Sequence, residues 1–133
     1  SERALKADST SLLFMFAKST ALLNLGRYND CIKICNDIIK INDAYVDAYY
    51  NIGLAYFNQA IEMNKDRQQY RSKRAKIIEL YGLSRPYMEK FRQLAPDDKG
   101  KWLAPLYTIY LNLNMGKEFD EIDKIRKEVK YEQ

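Results

Sequence analysis

The chain has 133 residues, 47% of them hydrophobic and 30% charged, with a net charge of +4 at neutral pH. That apolar share supports a continuous core and argues against disorder, and the length makes one domain or a slice of a longer array. Histidine is absent from the whole sequence, which excludes Ser-His-Asp and Cys-His nucleophile systems and removes the most common metal ligand.

Only five glycines and three prolines occur, so turn punctuation is sparse and an all-α fold of long helices without a sheet is expected. Ser9, Thr10 and Ser11 are capping candidates for a first helix near 9–24. Its five consecutive apolar residues, Leu12 to Phe16, sweep the circumference and cannot all enter one hairpin. Gly26 and Tyr28 mark a turn into a helix near 27–41, where Cys31, Ile34, Cys35, Ile38 and Ile41 form a core-facing stripe. The two cysteines, four apart on one helix, are poorly placed for a disulfide and read as small core residues. A third helix near 44–64 holds Gly53 one turn after Tyr49 and one turn before Tyr56, which lets a partner helix approach closely. The segment from Ile61 to Lys76 has no glycine or proline and is rich in helix formers, with a turn expected near 64–68. A fourth helix near 69–94 then carries Tyr70, Ile77, Tyr81, Ser84, Met88 and Phe91, close to a heptad seam. Pro86 lacks an N–H for the carbonyl of Gly82, so a local bend within one helix is expected rather than two helices. Leu94-Ala95-Pro96-Asp97-Asp98 closes this element. A fifth helix near 99–113 carries Trp102, Leu106, Ile109 and Tyr110, with Pro105 inside it. Asn114-Met115-Gly116 turns into a sixth near 117–130, with Phe119, Ile122 and Ile125. No apolar run is long enough for a membrane helix, and these residues contain no signal peptide.

The order Tyr49, Ile52-Gly53, Tyr56 within Ala48–Phe57 resembles the first helix of a tetratricopeptide repeat, whose pattern is aromatic, Leu-Gly, Tyr. The resemblance implies an α-solenoid of about three antiparallel hairpins in a right-handed superhelix. Its register gives repeats at 12–45, 46–98 and 99–133. The first spacing is the 34 residues of this repeat; the second is longer because residues 60–78 extend both helices of the middle hairpin. Trp102 holds the position of the repeat's tryptophan. Residues 1–8 read as the tail of a preceding repeat, so the chain is expected to be a fragment of a longer array. The extended hairpin, the phrase Arg85-Pro86-Tyr87-Met88-Glu89-Lys90, and the stretch Tyr107–Met115 followed by Phe119-Asp120-Glu121 are similar to tetratricopeptide proteins of the Bacteroidetes bacteria. That likeness leans toward a periplasmic or exported location, whereas two unpaired cysteines lean toward the cytoplasm.

Repeats of this kind line a concave groove with their first helices and receive a peptide or a partner protein there. The groove positions transferred from the resemblance are Leu13, Phe16, Thr20, Leu23 and Asn24, then Asp47, Tyr50, Leu54, Phe57 and Asn58, then Leu103, Tyr107, Tyr110 and Leu111. Such an aromatic lining suits protein recognition; the alternative is that it packs against a further repeat or a capping helix. Domains that clamp a chaperone tail's carboxylate use Lys, Asn and Arg where this chain has Phe16, Thr20, Asn51, Gly100 and Ala104. Only Asn51 matches, so a clamp is not expected. An RNA reading would use the basic run Lys65–Lys76, with its six Lys or Arg, and stack bases on Tyr70. The other reading of that run is solvation of a hairpin tip. No Gly-rich phosphate loop, metal-ligand spacing or nucleophile elbow occurs. The expectation is a non-enzymatic binding scaffold without metal or cofactor, able to self-associate through the apolar N-terminal end of its solenoid.

Overall fold

The computed structural model describes residues 2–66 and 70–132, with side chains for 9–66 and 71–130. Six helices follow in chain order: α1 (Glu2–Asn24), α2 (Tyr28–Ile41), α3 (Val46–Asn64), α4 (Tyr70–Leu94), α5 (Lys99–Asn112) and α6 (Gly116–Glu132). Each packs on its neighbour in sequence, and α1 also touches α3. Among the described residues there is no strand, so the molecule is an all-α array of helical hairpins. No described helix is long and apolar enough to cross a membrane.

One expected boundary is corrected. Helix α1 runs unbroken from Glu2 to Asn24, so Ser9-Thr10-Ser11 lies inside it, and 2–8 is the first part of α1 rather than the tail of a separate helix. Nothing between Glu2 and Asn24 stops a helix: no glycine or proline occurs there, and each hydroxyl residue costs only about 0.5 kcal/mol of propensity.

The backbone turns recur. Helix α1 ends with Gly26 N–H donating to Leu23 O and Arg27 N–H to Leu22 O, with Gly26 at φ 76°. Helix α5 ends the same way: Asn114 N–H donates to Leu111 O and Met115 N–H to Tyr110 O, with Asn114 at φ 55°. Both are left-handed caps, which glycine and asparagine tolerate best. Between hairpins, Asn42, Tyr45 and Ala48 donate to Ile38, Asn42 and Tyr45. The same three bonds reappear at Ala95, Asp98 and Lys101, which donate to Phe91, Ala95 and Asp98. The second set lies 53 residues after the first, the spacing of the two later repeats in the sequence register.

Two apolar clusters run through the array. The first joins Leu12, Leu22 and Leu23 of α1, Cys31, Ile32, Cys35 and Ile38 of α2, and Ala48, Ile52 and Ala55 of α3. The second joins Ala60 of α3, the α4 seam Ile77, Leu80, Tyr81, Met88 and Phe91, and Trp102, Leu106, Ile109 and Ile122 of the last hairpin. Leu54 and Tyr56 touch both. The expected seam residues Ile77, Tyr81, Ser84, Met88 and Phe91 are all buried; the side chain of Tyr70 lies outside the described residues. Gly53 is the close contact of α3 with α4: a Cβ there would stand 3.0 Å from Met88 Cε, and Ser84 Oγ donates to Gly53 O at 2.7 Å.

Helix α4 continues through Pro86 as one element. One turn before it, Gly82 has nothing within 4 Å of the position a Cβ would take. Gly82→Ala therefore meets no neighbour and restricts the unfolded chain, and a gain of about 0.5–1 kcal/mol is expected in urea unfolding. A loss instead would show that the helix around Pro86 needs the freedom of glycine.

Tyr28 links α2 to α3 by donating to Glu62 Oε1 at 2.6 Å. Burial first, then the Glu62 carboxylate, pushes its pKa up from 10.0 to about 12. Between those values the unfolded chain gives up a proton that the folded chain keeps. The stabilisation is thus fully present below pH 10 and lost as pH rises toward 12. Thermal melts across that window should fall less steeply for Tyr28→Phe than for the native chain; identical slopes would remove Tyr28 from the alkaline transition.

Candidate functional site

The candidate surface is built on the first helix of each hairpin, α1, α3 and α5. On α1, Phe16 is half-buried with its ring 5.8 Å from Tyr45. Thr20 is engaged internally: Asn51 Nδ2 donates to Ser19 Oγ and Thr20 Oγ1, both at 3.0 Å, and both hydroxyls donate to Phe16 O. Asn51, the single match to a carboxylate clamp, is thereby a buried tie between α3 and α1. Leu23 is only 7% exposed and belongs to the core, so its place in the expected groove is corrected.

On α3, Asp47, Tyr50, Leu54, Phe57 and Asn58 are half-buried. Tyr50 packs on Phe91 with centroids 4.9 Å apart, and Lys101 Nζ sits 5.3 Å from its ring. Burial, then Asp98, raises the Tyr50 pKa. Phe57 lies 5.9 Å from Tyr81. Their rings fill space between helices on one side and meet solvent on the other.

On α5, Leu103 and Tyr107 are half-buried, whereas Tyr110 is 3% exposed. Tyr110 is a core residue, its pKa raised by burial and by Glu89, and it too leaves the expected groove. Tyr110 turns inward against Glu89, Arg92 and Arg85 of α4. Leu103 and Tyr107 line a cleft of about 390 Å³ with Lys99, Gly100, Ala104, Thr108 and, from α6, Arg126. Glycine and alanine one turn apart form its floor. The Arg126 guanidinium lies 4.8 Å from the Tyr107 ring, and Phe119 packs on the same ring at 4.8 Å. Arg126 also donates twice to Asp123 Oδ1, at 3.2 and 2.9 Å, which helps hold that carboxyl below the usual range. Sequence reasoning missed Lys99, Thr108 and Arg126. The transferred pattern draws only on first helices, and Arg126 enters from the second helix of its hairpin.

The basic run is less available for phosphates than its composition implies. Lys73 pairs with Asp66 at 3.7 Å, Lys76 with Glu79 at 3.6 Å, and Arg74 donates to Asn112 Oδ1 at 3.4 Å. Residues 67–69 and the Tyr70 side chain, which the stacking reading needs, lie outside the described residues. Cys31 and Cys35 are fully buried and unbridged. The hydrogen bond that Cys31 donates to Cys35, with burial, pushes the Cys31 thiol up, the opposite of what a nucleophile needs, and the same bond draws the buried Cys35 down. Among the described residues no group of three His, Cys, Asp or Glu could hold a metal ion.

No protein-family model, no curated protein and no solved structure matches the chain.

Proposed function

We propose that the chain is a tetratricopeptide-type, non-enzymatic interaction scaffold that receives a peptide segment of a partner protein on the exposed faces of α1, α3 and α5. The recurring caps and inter-hairpin turns support the repeat reading, since the first and last hairpins share one cap geometry, and the two inter-hairpin turns one bond pattern, built from different residues. The observation that carries the binding reading is the α5 cleft. Its Gly100 and Ala104 floor lets a backbone come close, Leu103 and Tyr107 offer apolar and aromatic contact, and Lys99 and Arg126 stand at its edges. Half-buried tyrosines are already ordered by their neighbours, so binding there sacrifices little side-chain entropy.

Selection of a random displayed peptide library on the folded chain tests this reading. Enriched peptides should lose binding to Leu103→Asp and Tyr107→Ala proteins whose helicity is unchanged. Failure to enrich any peptide, or peptides indifferent to both substitutions, would sink the α5 cleft as the receiving surface.

A further inference from the structure

The first turn of α5 runs against an electrostatic rule. It holds Lys99 and Lys101 and no acid, although the positive end of a helix dipole favours carboxylates and disfavours cations. The N-cap residue Asp98 makes no side-chain cap bond and pairs instead with Lys101 at 3.6 Å. Lys99 forms no ion pair among the described residues. Local rules are broken where function needs the exception, and this exception lies at the edge of the α5 cleft.

Lys99 and Arg126 are the only charged residues that line the cleft. Arg126 gives two of the five N–H groups of a guanidinium to one oxygen of Asp123, and Lys127 pairs with the other oxygen at 3.1 Å. One carboxylate is thus shared by two cations. The remaining guanidinium N–H groups have no hydrogen-bond partner among the described residues. Counting Lys99, Arg126 and Lys127 against Asp123, the rim keeps an excess of two positive charges.

We infer that the segment received here is acidic, a short run of Asp or Glu around one apolar side chain; this rests on the α5 cleft being the receiving surface. The apolar side chain packs on Leu103 and Tyr107. The flanking carboxylates meet Lys99 and the uncapped first turn of α5 on one side and Arg126 on the other, and so take up donors that the chain's own acids leave unused. Nucleic acid would meet the same cations, but base stacking needs a free ring face. The Tyr107 ring is already contacted by Phe119 and Arg126, each at 4.8 Å.

Fluorescence polarisation tests the inference with a labelled peptide that has a central leucine between two glutamate pairs, its termini blocked, and with its glutamine counterpart. The glutamate peptide should bind more tightly, and added salt should erase the difference. Lys99→Gln and Arg126→Gln should each weaken it about twofold to fivefold, the range for exposed charge pairs, and leave the glutamine peptide unchanged. Lys33→Gln, which removes one positive charge from α2, should leave both peptides unchanged. Equal binding of the two peptides, lost alike in Tyr107→Ala, would overturn the acidic occupant and leave the cleft as the receiving surface. A glutamate preference that survives both cation substitutions would place acid recognition elsewhere and overturn the inference. So would a single-stranded oligonucleotide that binds more tightly through Lys99 and Arg126, or a dimer in sedimentation velocity that Arg126→Gln dissolves. Failure of these two peptides and of the displayed library together would remove the cleft itself.

Discussion

Trp102→Ala is expected to lower the unfolding free energy by about 3–5 kcal/mol, the range for deleting a large buried aromatic side chain. Trp102 is nearly fully buried where α4, the following turn and α5 meet. Its Nε1–H donates to Pro96 O at 3.2 Å, and the Arg92 guanidinium lies 4.6 Å from its ring centroid. Truncation opens a cavity against Met88 and Phe91's cluster, leaves the Pro96 carbonyl without its donor, and strips Arg92 of the ring. Domains of ordinary stability hold about 5–15 kcal/mol, so this one change removes a large share. Trp102→Phe separates the contributions: it keeps most of the burial and loses only the N–H, at a cost of about 1 kcal/mol beyond the lost ring volume. Because this is the only tryptophan, urea unfolding has to be followed by circular dichroism rather than by fluorescence. A native-like midpoint for Trp102→Ala would mean that α5 does not dock on α4 through this side chain.

The places where sequence and structure agree are those where one physical rule acts alone. The seam Ile77, Tyr81, Ser84, Met88 and Phe91 was legible because period and burial coincide over a long helix, with no competing signal. Gly53 was legible for a similar reason, since a glycine between two tyrosines in a helix has little purpose other than close approach. The start of α1 was not. Ser9-Thr10-Ser11 is a good cap only if something stops the preceding helix, and Leu5-Lys6-Ala7 favours continuing it. The expected groove positions divide. Leu103 and Tyr107 do line a cleft, but Leu23 and Tyr110 are core. A transferred pattern fixes the angle of a side chain around its own helix and cannot say how far a neighbouring helix extends over it. Asn51 shows the same limit. Its amide is consumed by Ser19 and Thr20, a pairing across 31 and 32 positions that no local rule reveals.

Gly53→Leu should destabilise by about 1–3 kcal/mol through overpacking of α3 against α4. Even a Cβ at this position would stand 3.0 Å from Met88 Cε, 3.4 Å from Met88 N and 3.7 Å from Met88 Cα. The methyl end of methionine can swing aside, but the α4 backbone cannot. Gly53→Ala therefore sets a helix-propensity gain of up to about 1 kcal/mol against a small displacement of Met88, and the two nearly cancel. A leucine needs room that only separation of the helices supplies. That separation would also stretch the 2.7 Å bond from Ser84 Oγ to Gly53 O, leaving a buried hydroxyl and a carbonyl to find other partners. Pairing the substitution with Met88→Ala makes the test specific. The space vacated by methionine should take part of the leucine, so the double variant should be more stable than the sum of the two single losses. Strict additivity would mean that the leucine is accommodated away from Met88. An unchanged melting temperature for Gly53→Leu alone would show that α3 and α4 do not meet at this residue, and would undo the register on which the repeat reading rests.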